Sequence, residues 1–386
     1  MSKIPGQQSA NAFDAVITQL MNDYAVPGAS VAVSQNGAIV LARGYGLLDA
    51  NDPNSGVAPT NIFRIASVTK PITAAAVMLL VQNGLLNLDA SVWSLLAAKF
   101  PLLPGKTLTN GVDLITIRQL LQHSSGWDGS QYDPMFDVVA IAEAEGIPAP
   151  AGKAAIIRYM WSQELYHQPG QCYAYANFNY LLLGRVIELI TGQDYADYVT
   201  QNILAPFGAT ETMQGSSFES GRYPNESLYY PYAGEGLEPS VFPPVGSGVL
   251  SPYGSFDLEN MDSHGAWVSS PSDLLGFING VFSGGLLNQD TLAAIVANRA
   301  TACDGSGALY GLGWALTPAG NGFNIWHSGS LPGTTSILVK TIWSDGSNVC
   351  WAAVLNTRNE DWSTISGALD QAMWNAVDTL DFGQGS

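Results

Sequence analysis

Basic residues are scarce in this chain. Fourteen Lys and Arg stand against 32 Asp and Glu over 386 residues, a formal charge of −18. No Lys/Arg cluster offsets that balance locally, so nucleic-acid phosphates and anionic membrane surfaces are poor partners. Long apolar runs are missing as well: none approaches the roughly 18 residues a membrane-spanning helix needs. Cysteine is rare and odd in number. Cys172, Cys303 and Cys350 form no CxxC and cannot all pair, which points away from a disulfide scaffold. The stretch Met1-Ser2-Lys3-Ile4-Pro5-Gly6-Gln7-Gln8 lacks the apolar core of a signal peptide, so the chain reads as cytosolic, with a processed secreted form as the alternative. Its four histidines, His123, His167, His264 and His327, show no metal-ligand spacing and no HExxH is present. A G-x-S-x-G elbow is absent too, and Gly105-Lys106-Thr107 has Phe100 where a P-loop needs its first glycine. Zinc proteases, α/β-hydrolases and P-loop NTPases are thereby disfavoured, and no metal or organic cofactor is expected.

What is abundant is apolar surface. Forty-seven percent of residues are hydrophobic and only 12% charged, which calls for a large folded core. Phe13, Val16, Ile17, Leu20, Met21 and Tyr24 form one helical stripe, with Asn11 as the expected N-cap and Pro27-Gly28 as the stop. Strand-like runs at 30–34 and 39–44 flank Asn36-Gly37, a strong hairpin signal. Near the other end, 323–326, 335–343 and 349–355 read as strands, the last two joined through Asp345-Gly346. Ile365, Leu369, Met373 and Val377 then mark a closing helix. An antiparallel sheet built from both termini, with a helical region inserted, follows from this order. In that middle region Thr116-Ile117-Arg118-Gln119 is a capping box. Gly192 ends a helix carrying Leu182, Val186, Leu189 and Ile190, and Ser270-Pro271-Ser272-Asp273 opens another. Two stretches rich in Gly, Pro and aromatics, 126–152 and 214–262, read as functional loops.

The chemistry begins at Ser67-Val68-Thr69-Lys70, which opens a helix expected to run to Gln82. Side chains at i and i+3 share a helix face, so the Lys70 amine reaches the Ser67 hydroxyl. Serine needs such a base to become a nucleophile, and a helix N-terminus adds a positive end and free N–H groups for an oxyanion. Tyr175-Ala176-Asn177 is a second candidate: a phenol beside a cationic lysine titrates lower and can relay protons, and the asparagine can both donate and accept. A third is His327-Ser328-Gly329-Ser330, where a strand-end glycine allows close approach of a substrate. His123 reads as a brace for the turn after its helix, and Cys172 as a small buried thiol. The loop aromatics Trp127, Tyr132, Phe136, Tyr223, Tyr229, Tyr230, Tyr232, Phe242 and Tyr253 are candidates for an apolar acyl or alcohol pocket.

In this order and spacing the three motifs resemble the serine β-lactamase-like family, which includes penicillin-binding proteins, class C β-lactamases, DD-peptidases, D-amino-acid peptidases and family VIII carboxylesterases. Phe63 to Pro71, Leu120 to Gly126 (LLQHSSG) and Tyr310 to Trp314 (YGLGW) extend the likeness over most of the chain. The resemblance implies an α+β fold: a five-stranded antiparallel sheet flanked by helices, with a helical subdomain and the site between them. It implies one catalytic domain over 1–386, its α/β part at about 1–66 and 305–386 and its mainly helical part at about 67–304. It also implies roles: Ser67 as acylated nucleophile, Lys70 as its partner, Tyr175 as proton relay, Asn177 and His327 at the substrate, Gly329 in the third motif. The N–H groups of Ser67 and Ser330 would form the oxyanion hole. Two departures stand out: Ala176 replaces the usual serine, and His327 stands where β-lactamases carry lysine. The expected activity is therefore hydrolysis of a small ester or amide, foremost as a carboxylesterase. A peptidase or amidase, an acyltransferase and a retired binding protein follow in that order. The expected partner is a small-molecule substrate, and oligomeric state is not readable.

Overall fold

The two ends of the chain close on one another. In a computed structural model describing residues 7–319, 322–343 and 346–380, a sheet joins β1 (Gly28–Gln35), β2 (Ala38–Gly46), β3 (Ala300–Thr301), β4 (Leu309–Tyr310), β5 (Ala315–Ala319), β6 (Gly322–Leu331), β7 (Thr334–Ile342) and β8 (Asn348–Leu355). Their order is β2-β1-β8-β7-β6-β5-β4-β3, antiparallel throughout. The five long strands are the expected sheet. Beyond β6 it continues through three shorter strands, two of them of two residues, too short to leave a period-two signal. Asn36 and Gly37 both take positive φ, +48° and +85°, the conformation a two-residue hairpin requires. Of the expected turn Asp345-Gly346, Asp345 lies outside the described residues.

Helices used below are α1 (Gln7–Asp23), α2 (Thr69–Gln82), α3 (Ile117–Leu121), α4 (Asn177–Thr191), α5 (Pro271–Phe282) and α6 (Trp362–Val377). Helix α1 begins four residues before Asn11, which is an exposed interior position and not the cap. The predicted caps at Thr116, with its reciprocal Gln119 bonds, and at Ser270 are present. Strand β8 is buried along almost its whole length. Trp351, Ala353 and Leu355 meet one apolar cluster with Phe13 and Ile17 of α1 and Ile365, Leu369 and Met373 of α6. Cys350, Ala352 and Val354 point the other way, into the cluster that holds α2, α4 and α5. Burial on both faces explains why the strand reads as a continuous apolar run. Each fully buried Val, Leu, Ile, Phe or Met among them stabilises the fold by about 1.5–3 kcal/mol.

The two stretches read as loops are partly ordered otherwise. Residues 126–152 include a helix, Val138–Glu145, and 214–262 include a short hairpin, Glu238–Pro239 with Gly248–Val249. One expectation about cysteine is corrected: Cys172 and Cys303 form a disulfide, and Cys350 alone is free and buried. An odd count forbids pairing all three but not two, so the cysteine content does not support a reducing compartment. No helix among the described residues is long and apolar enough to cross a membrane.

Candidate active site

Ser67 lies in a short 3-10 turn, Ala66–Val68, that feeds directly into α2. The turn is tight because Ala66 takes φ +45°, a left-handed conformation costing about 1–3 kcal/mol for a non-glycine residue. Neighbours hold it there. Ser336 Oγ of β7 donates to Ile65 O at 2.6 Å, Thr334 Oγ1 donates to Arg64 O at 2.8 Å, and Ile65 N donates to Trp267 O at 2.9 Å. The buried Arg64 guanidinium caps two carbonyls, Pro252 O and Ser216 O, and lies over the Tyr229 ring at 4.3 Å. Strand β6 presses against the same turn. A Cβ on Gly329 would meet Ile65 O at 2.3 Å and Ser67 N at 2.9 Å, so only glycine allows this approach.

Around Ser67 Oγ the expected groups converge. Lys70 Nζ lies 3.0 Å away and the Tyr175 hydroxyl donates to it at 2.8 Å. Lys70 Nζ also donates to Asn177 Oδ1 at 2.8 Å and to His264 O at 2.9 Å. The His264 segment is itself fixed. Thr73 Oγ1 of α2 donates to Ser263 O, and the adjacent Asp262 carboxylate is gripped by Lys153 and Arg185, each at 2.5 Å. Ser67, Tyr175, Asn177, His327 and Ser330 all line one cleft of about 720 Å³, and Gly329 packs against the Ser67 backbone beside it. All seven residues named from the sequence thus meet at one place.

Burial sets the protonation states. Lys70 is fully buried, which pushes its amine well below the usual lysine range; Asp133 opposes that shift only in part. A neutral amine has two N–H bonds and one lone pair. Asn177 Oδ1 and His264 O, which can only accept, take the two N–H bonds, and the lone pair is left for Ser67. Ser67 Oγ can then donate to Lys70 while accepting from Tyr175. The Tyr175 phenol is pushed well above its ordinary value by burial, contrary to the expectation that a lysine cation would lower it. His327 is neutral, held down to about 3 chiefly by burial. Its Nδ1 donates to Ser328 O at 2.6 Å, and Nε2 accepts from the Tyr310 hydroxyl at 2.9 Å.

Sequence reasoning missed several residues. Asp133 accepts from Asn177 Nδ2 at 2.7 Å and so fixes which face of that amide meets Lys70. It sits in a Pro-flanked loop 44 residues away, with no local signal. Tyr310, part of the YGLGW stretch, positions His327. His123 braces more than its own turn. With φ +53° it accepts from Ala176 N and lies near Asn179 Nδ2 through Nδ1, each at 3.2 Å, and it stacks 4.4 Å from the Tyr175 ring. Of the nine loop aromatics only Phe136 lines the cleft. Trp127 packs on Phe178, and Tyr229 and Tyr253 enclose Arg64. The apolar lining comes instead from Tyr173, Met261, Trp326, Leu331 and Trp362.

The family model described as Beta-lactamase matches residues 13–371. The chain belongs to the beta-lactamase family. Protein flp of Staphylococcus aureus (strain COL) is 32% identical over 238 residues, 61% of this chain and 44% of that protein, so the match spans less than half of the relative's length. Two solved structures share the fold over almost all of this chain. The D-amino acid amidase of Ochrobactrum anthropi SV3, complexed with L-phenylalanine amide, superposes with a TM-score of 0.74 at 24% identity, covering 97% of this chain and 99% of its own. EstCE1, described as a hydrolase with promiscuous acyltransferase activity, has a TM-score of 0.74 at 21% identity, covering 96% and 98%. In this beta-lactamase family member the cleft is acidic. Asp128, Asp133 and Asp304 line it, and Arg358 is the one arginine among the lining residues.

Proposed function

We propose that this protein is a serine hydrolase that cleaves small esters or amides through an acyl-Ser67 intermediate. The observation that carries the reading is the buried Lys70 amine, whose Nζ lies 3.0 Å from Ser67 Oγ while contacting Asn177 Oδ1 and His264 O; in its neutral form the remaining lone pair faces that hydroxyl. In the proposed cycle Ser67 Oγ attacks the carbonyl carbon as its proton passes to Lys70. The N–H groups of Ser67 and Ser330 receive the negative charge on the carbonyl oxygen. The Tyr175 hydroxyl, released from Ser67 Oγ by acylation, gives its proton to the leaving group and recovers one from the Lys70 ammonium. Water then enters by the reverse path and frees the acid.

Carboxylesterase action is the leading form of this reading. A neutral His327 supplies no cation for a substrate carboxylate, which supports esters and amides over β-lactams. The three cleft aspartates favour a second form, an amidase for substrates bearing an amino group, and an acyltransferase using an alcohol acceptor is third. A fluorophosphonate probe tests the common core: labelling of wild type that vanishes in Ser67→Ala is expected. An unlabelled wild type that turns over no p-nitrophenyl ester would leave a binding protein as the reading. A panel of neutral esters, D- and L-amino-acid amides and added alcohols ranks the three forms.

A further inference from the structure

Outside the catalytic cluster, one group of side chains among the described residues has the chemistry of a metal site. The ligand atoms of His167, Cys172 and Cys303 lie within 4.8 Å of one another, and all three residues are partly exposed. In the structure the two sulfurs are joined as a disulfide, which leaves them no capacity to bind a metal. We propose that reduction of this bond converts the cluster into a zinc site, with two thiolates and the His167 imidazole as protein ligands and a water as the fourth. Two-electron reduction by a phosphine gives two thiols and a phosphine oxide whose oxygen comes from water. Zinc then displaces one proton from each thiol.

The geometry suits this ion. Ligands of a tetrahedral zinc with bonds of about 2.0–2.3 Å sit roughly 3.4–3.8 Å apart, inside the 4.8 Å that bounds this cluster, so the sulfurs need only part from their bond to reach that spacing. The ring is already oriented. His167 Nε2 lies 3.3 Å from Asp128 Oδ2, and the other oxygen of Asp128 is held by Ser130 N and Oγ. A carboxylate on one ring nitrogen with the metal on the other is the usual support of a zinc-bound histidine, and the proposal assigns Nδ1 to the zinc. The backbone joins the same segments: Tyr173 N donates to Thr301 O and Cys303 N donates to Tyr173 O, so two hydrogen bonds besides the sulfur link hold the cysteine-bearing segments side by side. A structural disulfide alone would require neither the histidine nor its buttressing acid.

The placement gives the site a use. Cys172 lies three residues before Tyr175, and Cys303 stands between Ala302 and Asp304 in the cleft lining. Either bond, sulfur to sulfur or sulfur to zinc to sulfur, ties the same wall of the cleft, so the wall is held in oxidising and reducing surroundings alike.

The test uses full-length protein, reduced anaerobically with a phosphine, freed of reductant and titrated with Zn²⁺ against a chromogenic indicator. Cobalt substitution reads the ligand set. One equivalent of zinc in the reduced protein, none in the oxidised protein, and sulfur-to-cobalt charge-transfer bands are expected. Asp128→Asn should weaken binding about tenfold, and His167→Ala more than that. Cys350→Ser should change nothing. Reduced wild type that keeps its circular dichroism, shows two accessible thiols and binds no zinc would overturn the proposal. So would uptake that survives in both His167→Ala and Cys303→Ser. Protein that unfolds on reduction and is not restored by zinc counts against it equally.

Discussion

The close approach of β6 to the nucleophile turn can be tested by one methyl group. In Gly329→Ala the new Cβ would lie 2.3 Å from Ile65 O, 2.4 Å from Ser336 Oγ and 2.9 Å from Ser67 N. Carbon and oxygen settle at about 3.3 Å or beyond, so the two backbones must separate by roughly 1 Å. That separation acts directly on the two N–H groups proposed to hold the oxyanion, one on each side of the gap. A misplacement of this size costs on the order of 100-fold in rate, or about 2.7 kcal/mol of transition-state stabilisation. Overpacking should cost about 1–3 kcal/mol of stability as well, short of unfolding the protein. The assay pairs kcat/KM on a p-nitrophenyl ester with urea unfolding. Gly367→Ala, in α6 with nothing near its added methyl, is the control and should gain about 0.5–1 kcal/mol with unchanged activity. Wild-type kcat/KM in Gly329→Ala would refute the argument that this gap is the oxyanion site.

Other expectations follow from protonation and cross-linking. The acid limb of the pH–kcat/KM profile should report Lys70, activity falling as pH drops through its depressed pKa, while Tyr175 contributes no alkaline limb in the neutral range. Asp133→Asn removes the charge that raises the Lys70 pKa, so the limb should move to lower pH, with about a tenfold loss of kcat as Asn177 loses its anchor; a limb that stays put contradicts this. His327 is held at about 3 in the fold against about 6.5 when unfolded, so its stabilisation is complete above pH 6.5 and drains away toward pH 3. Replacing it with Gln should flatten the stability-versus-pH curve in that window by up to about 1.4 kcal/mol per pH unit, read by urea unfolding. Cys303→Ser reopens a 131-residue loop and should lower stability by at most about 5 kcal/mol, seen as a lower Tm that reductant does not change further.

How much of this was legible in the sequence depended on distance along the chain. Ser67 with Lys70, Tyr175 with Asn177, and His327 with Gly329 are each local spacings, so helix and strand geometry bring each pair to one face. The same holds for the Asn36-Gly37 hairpin and the caps at Thr116 and Ser270. What escaped notice is set by tertiary contact. Asp133 meets Asn177 across 44 residues, Cys172 meets Cys303 across 131, and the cleft is lined by Trp326 and Trp362 because β6 and the start of α6 deliver them there. The loop aromatics misled for a related reason: an aromatic residue serves equally well around Arg64 or against Phe178, and composition does not distinguish those places from a substrate wall. The Tyr175 phenol shifts opposite to the expected direction because it is itself buried, a quantity no local pattern contains.

The central claim is that the acyl group resides on Ser67 and that Lys70 puts it there. Intact-protein mass measured milliseconds after mixing with excess p-nitrophenyl ester, followed by acid quench and peptide mapping, reads both at once. One acyl group per chain on the peptide bearing Ser67, formed in a burst that Lys70→Ala abolishes while the fold persists, is the predicted result. Steady turnover in Ser67→Ala, or an adduct that maps to any other residue, would contradict it.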